Sequence, residues 1–272
     1  MIPLRLQAEA RARLARGTPV VEVLIAAHQG SAPRETGTRM VVMPAEVLGT
    51  IGGGHLEWKA IEAARRLLAR PDAPAETLDL PLGPALGQCC GGRVKLRLSR
   101  LTPEALDAWA LPPPRFHLQL HGAGHVGRAI VKLLTDIDGR VRWVDGREDE
   151  FPPHDPLEQP HILPIVSDAP EMEVAQAAPG TAFLVMTHRH DLDEAITEAI
   201  LRRGDAAFCG LIGSATKRAR FLSRFEARGL SAAQLGRLTC PIGLPGLTGK
   251  EPAVLAVSVV AQLLGCSASQ RT

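Results

Sequence analysis

The strongest constraint on the fold lies in residues 116–130, FHLQLHGAGHVGRAI, where Gly122, Gly124 and Gly127 form G-x-G-x-x-G between two apolar runs. Phe116, Leu118 and Leu120 precede the glycines in period-two alternation; Val126, Ile130, Val131 and Leu134 follow at helical spacing, so the motif falls where a strand turns into a helix. Each glycine has a steric role. Gly122 permits the tight turn, Gly124 lets a phosphate approach the backbone, and Gly127 lets the helix pack on the strand. With His125 among them, these residues are a candidate cofactor-binding loop, because the bare N–H groups of a helix start face an anion. The next strand candidate, residues 140–144, ends at Asp145, where an acid would receive a ribose hydroxyl in a dinucleotide-binding unit. The plainer alternative is a tight strand-to-helix turn without ligand.

A chain of 272 residues is near the size at which one core splits into two. The break is expected at Leu111-Pro-Pro-Pro-Arg115, since three prolines continue neither helix nor central strand. The expected organisation is a smaller N-terminal α+β domain over residues 1–110, a proline linker over 111–115, and a C-terminal α/β domain over 116–272, Rossmann-like with a mostly parallel sheet. A net charge of +2, with three Trp, six Phe and no Tyr, argues against nucleic-acid or membrane partners. The longest apolar stretch, residues 253–264, is too short to span a bilayer. The N-terminal residues alternate charged and apolar types without a signal-peptide core, so an amphipathic first helix and a cytoplasmic location are expected.

Three further stretches carry candidate chemistry. Gly52, Gly53 and Gly54 stand immediately before a helical pattern over residues 55–69 and can present several N–H groups as a second anion nest, or serve as a hinge or close crossing. Cys89 and Cys90 sit in a glycine-rich loop, LGQCCGG, where backbone N–H groups would lower a thiol pKa. Adjacent cysteines project apart, which disfavours a shared zinc ion. At the end of the buried-type strand 181–186 comes THRHD, so His188 and His190 are expected in the ligand crevice beyond the strand ends. Asp191, with Glu194 three residues on, reads as an N-cap and capping box for a helix over residues 194–203. Ser214 reads as another N-cap, and Lys217, Arg218 and Arg220 as a solvated basic face. Residues 71–81 are read as a connecting loop and the proline-rich run from Phe151 to Asp168 as an irregular crossover. The glycine-rich segment 239–252 lacks the residues of a Walker loop, with Leu244 and Glu251 at the deciding positions.

Taken in order, GSAPRETGTRM, GTIGGGHLE, LGQCCGG, GAGHVG, MTHRHDLD, GLIGS with Lys217-Arg218, CPIGLPG and TGKEPA resemble the XdhC/CoxI family of xanthine dehydrogenase accessory proteins over nearly the whole chain. The resemblance implies a chaperone without turnover of its own. Such a protein binds molybdenum cofactor (molybdopterin), protects it while a cysteine desulfurase partner installs its terminal sulfido ligand, and delivers it to apo-xanthine dehydrogenase. A homodimer is expected. Physically, a glycine loop can hold the phosphate end while Cys89 or Cys90, as a soft molybdenum-facing thiol, approaches the metal, with the site in a cleft between domains. Two alternatives follow from the same residues: an NAD(P)-dependent oxidoreductase with Asp145 on the ribose and His188 or His190 as acid/base, and a sulfur carrier using a Cys89 or Cys90 persulfide.

Overall fold

The computed structural model describes residues 1–82 and 92–268, and the chain divides into two compact units, Met1–Pro112 and Pro113–Thr272. The first contains α1 (Pro3–Ala15), β1 (Val21–Gln29), β2 (Arg39–Val42), β3 (Val47–Gly49), α2 (Gly54–Leu68), β4 (Glu76–Pro81), β5 (Arg93–Arg100) and α3 (Pro103–Asp107). Its five strands form an antiparallel sheet in the order β3-β2-β1-β5-β4. Alternation along β1 sends Val21, Val23 and Ile25 to one face, where Leu56, Ala60, Ala63, Ala64 and Leu67 of α2 cover them. On the other face Val20, Val41 and Met43 pack with Leu6 and Ala10 of α1 and with Leu106 and Trp109.

Residues 71–81, expected as a loop, end in strand β4 instead. Its Leu78 and Leu80 pack against the core while Pro81 closes the strand at the sheet edge, where a missing N–H costs no ladder bond.

The second unit contains β6 (His117–His121), α4 (His125–Leu134), β7 (Arg140–Asp145), β8 (Ile162–Val166), β9 (Ala182–Val185), α5 (His190–Arg203), β10 (Phe208–Leu211), α6 (Ala215–Ala227), α7 (Ala232–Leu235), β11 (Leu238–Thr239) and α8 (Pro252–Ala268). All six strands are parallel, in the order β11-β10-β9-β6-β7-β8. This is the doubly wound Rossmann order, with its switch between β6 and β9. Leu118, Leu120 and Trp143 face α4 and α8, whereas Phe183, Val185 and Leu211 face α5 and α6. The crossover after β7 is a short 3-10 turn, Glu148–Glu150, and proline-rich coil. Within that run, however, Ile162–Val166 forms the edge strand β8, so the irregular reading fails at its end. Among the described residues no helix is long and apolar enough to cross a membrane.

Candidate functional site

The glycine loop after β6 is locked from below. Gly122 has φ +121°, and a Cβ there would lie 2.3 Å from the Met186 carbonyl oxygen; a Cβ on Gly127 would lie 2.1 Å from the Gly122 carbonyl oxygen. That carbonyl also accepts the Trp143 indole N–H at 3.0 Å. Gly124, immediately before α4, has no atom within 4 Å of a built Cβ, so its surroundings are open as a phosphate approach requires.

Asp145 departs from its expected role. Its Oδ2 accepts from the Ala123 N–H (2.7 Å) and Arg147 Nη2 (2.9 Å), and its Oδ1 from the Arg147 backbone N–H and Nε (both 3.0 Å). These bonds use the roughly four acceptor sites of a carboxylate, leaving none for a ribose hydroxyl. Burial alone would raise the pKa, but the Arg147 and Ala123 hydrogen bonds and the Arg147 charge outweigh it and hold the group below its ordinary range. The acid ties the glycine loop to β7.

A second cluster stands at the carboxyl ends of β9 and β10. Lys217, in the first turn of α6, folds back so that Nζ donates to Asp193 Oδ2 at 2.5 Å and to the Ile212 carbonyl at 2.9 Å. The pair is nearly sealed, with side-chain exposures of 9% and 2%. Asp193 Oδ1 accepts from the Thr187 N–H (2.9 Å) and lies 2.8 Å from its hydroxyl, closing the loop between β9 and α5. Gly213 makes room for this arrangement, since a Cβ there would lie 2.6 Å from Lys217 Cδ.

Two expectations are corrected here. Helix α5 starts at His190 with Arg189 at the N-cap position, so Asp191 is already inside it and exposed, paired with Arg189, and Asp193 is the acid that fastens the turn. Lys217 is buried rather than part of a solvated face, whereas Ser214 does cap α6, accepting from the Lys217 N–H at 3.2 Å.

His188, Arg189 and His190 are exposed around a 310 Å³ cavity that also reaches Thr187, Ser214 and Lys217. His188 and Arg189 border a second cavity of 210 Å³ on the β7–β8 side, with Asp145, Arg147 and Ser167. The histidines therefore come together at the crevice, but the glycine loop lines neither cavity. Among the described residues no group of three or more His, Cys, Asp or Glu is placed to hold a metal ion. The Lys217–Asp193 pair escaped sequence reasoning; the usable signal was a glycine one turn before a lysine at a strand-to-helix junction.

In the N-terminal unit the expected anion nest is already filled. Glu57, on the first turn of α2, places Oε2 3.0 Å from the Ile51 N–H and 3.1 Å from the Gly53 N–H, with the Thr50 hydroxyl on the same oxygen. The carboxylate is the anion that this helix start favours. Gly52 serves a close crossing, because a Cβ would meet Pro33 at 2.5 Å. Cys89 and Cys90 lie outside the described residues. Of the described thiols, burial pushes Cys209 up to about 12, and it also raises Cys240, which makes neither a ready thiolate.

His121 ends β6 in full burial, with Nε2 3.0 Å from Gln119 Oε1 and Nδ1 without a partner among the described residues. Burial pushes its pKa down to about 3. The folded protein therefore holds it neutral, while the unfolded chain protonates it near its ordinary value of about 6.5. This group costs nothing above about pH 6.5, and stability falls between there and pH 3 by about 1.4 kcal/mol per unit. A His121→Phe variant should show a shallower loss of urea midpoint from pH 6.5 to 4 than wild type; parallel curves would show that His121 is not the linked group.

A parallel doubly wound sheet with a crevice beyond its strand ends, preceded by an antiparallel α+β unit, defines a two-unit protein whose second unit is Rossmann-type. Residues 118–263 match the family model described as the XdhC Rossmann domain, and residues 13–79 match that of the XdhC and CoxI family. The chain belongs to the XdhC and CoxI family. It is 27% identical over 251 residues to YqeB of Escherichia coli (strain K12), an uncharacterized protein, covering 90% of this chain but only 43% of that relative's length. It shares its fold with a Bacillus halodurans protein described as a xanthine dehydrogenase: TM-score 0.73 with 19% identity, covering 97% of this chain and 96% of that one.

Proposed function

We propose that the protein is an accessory factor of xanthine dehydrogenase that carries molybdenum cofactor as cargo, shelters it while a cysteine desulfurase installs the sulfido ligand, and passes it to the apo-enzyme. Family membership extending into both units is the observation that carries this reading. The crest of the second unit suits the anionic end of such a molecule. His188, Arg189 and His190 are exposed at the rim of one cavity, with the buried Lys217–Asp193 pair beneath, and the start of α6 directs its first N–H groups to the same end of the sheet. Cys89 or Cys90 would face the metal as a soft ligand. The nicotinamide alternative has lost the acid it depended on, since Asp145 has no free acceptor site.

Purified protein mixed anaerobically with free molybdopterin should retain it through a desalting column. Release as rapid as from an unrelated protein would end the proposal. Unchanged retention by a Cys89→Ala, Cys90→Ala double variant would remove only the thiol role.

A further inference from the structure

The N-terminal unit holds a 450 Å³ cavity, larger than either cavity at the crest of the second unit, to which nothing above assigns a role. It is lined chiefly by residues 34–39, Thr50 and residues 109–112. Arg39 lies over the Trp109 ring, with its guanidinium carbon 5.1 Å from the ring centroid. Its orientation is fixed by Nε donating to Glu22 at 2.8 Å and Nη1 to the Gly37 carbonyl at 3.1 Å. Guanidinium and indole thus form a flat, polarisable border to the cavity. The Trp109 indole N–H is buried without an acceptor among the described residues. Arg34 and Glu35 are exposed, and among the described residues neither side chain makes a hydrogen bond or ion pair.

These groups ask for one kind of ligand. A planar cation–aromatic pair favours a flat ring; an unpaired guanidinium only donates and attracts an anion; an unpaired carboxylate only accepts. A fused ring with a 2-amino-4-oxopyrimidine edge offers adjacent ring N–H and amino donors that match a carboxylate. An adenine ring offers no such pair. We propose that this cavity binds a 2-amino-4-oxopyrimidine ring bearing an anionic substituent, the shared chemistry of guanine nucleotides and pterins, with Glu35 reading the donor edge and Arg34 the anion. The pterin arm rests on the cofactor reading above; the guanine arm does not.

The test is calorimetric titration of the full chain with 5′-GMP and with pterin-6-carboxylate, using 5′-AMP and inorganic phosphate as controls. At least one of the first two should bind saturably, about tenfold or more tightly than AMP, since a site built for specific donors rejects rings lacking them. Whichever binds identifies the source. Glu35→Gln should abolish the preference over AMP, and Arg34→Ala should weaken the anionic ligand about tenfold, about 1.4 kcal/mol. Both positions are on an exposed loop, so folding should be retained. Absence of saturable binding, AMP binding equally well, or a preference that survives Glu35→Gln would overturn the assignment. If molybdopterin is retained equally by wild type and the Arg34→Ala, Glu35→Gln variant while neither probe binds, the cavity assignment falls and the accessory role stands. If the probes bind and molybdopterin does not, the cavity stands and the cofactor reading falls.

Discussion

Lys217→Met should lower the stability of the C-terminal unit by about 3–5 kcal/mol, because it strands a buried carboxylate without its cation. Asp193 has 2% side-chain exposure, and Lys217 Nζ sits 2.5 Å from its Oδ2. Removing the lysine leaves the Thr187 N–H as a donor to the carboxylate, so the loss should fall toward the lower end of that range. Asp193→Leu should cost a similar amount, since it strands the ammonium and frees the Thr187 N–H. The double variant Lys217→Met, Asp193→Leu should recover much of the loss, because two apolar side chains need no pairing. Urea midpoints of the four proteins give the coupling directly. Additive single losses, or a Lys217→Met cost below about 1 kcal/mol, would mean that the pair behaves as an exposed one. The experiment bears on function because this pair fixes the loop that carries His188 and His190. A large coupling with unchanged molybdopterin retention in the double variant would make the pair structural. Lost retention in a stable double variant would make Lys217 a ligand contact.

The parts of this architecture that were readable in the sequence are those written in local periodicity. The switch from alternation before Gly122 to helical spacing after Gly127 marked β6 and α4, and the apolar run 181–186 marked β9. Strands β4 and β8 were obscured by prolines, which edge strands tolerate because one side of the ladder is unpaired. The site was harder to read because its decisive contacts are long-range. Lys217 meets Asp193 across two helix starts, and no pattern within one element distinguishes Asp193 from Asp191. The Gly53 N–H of the expected nest donates to Glu57, a carboxylate only one turn away on the helix that follows, so spacing alone does not say whether such a nest is open to a ligand. Asp145 was visible as the acid at the end of β7, but its saturation by Arg147 and the Ala123 N–H depends on side-chain direction, which spacing does not specify.

The three glycines of the opening motif should separate into three different outcomes. Gly122→Ala should be the most damaging, because φ +121° is strained for any L side chain and the new Cβ would lie 2.3 Å from the Met186 carbonyl oxygen. A loss of about 3 kcal/mol or more is expected, since strain and overpacking add and the opposing atom belongs to backbone held in the sheet. Gly127→Ala also creates a backbone clash, at 2.1 Å from the Gly122 carbonyl oxygen, but it lies inside α4, where alanine regains about 1 kcal/mol of helix propensity. Its net loss should be smaller, about 1–2 kcal/mol, and should come with a weakened Trp143 indole bond to that carbonyl, visible in the emission of a Trp58→Phe, Trp109→Phe background. Gly124→Ala meets nothing within 4 Å and has φ −69°, so thermal unfolding should be nearly unchanged. If Gly124→Ala nevertheless weakens molybdopterin retention, the open backbone there contacts the cargo; if retention is unchanged, the anionic end of the cargo lies elsewhere. Equal melting losses for all three variants would refute the division of roles and reduce the motif to a tight turn.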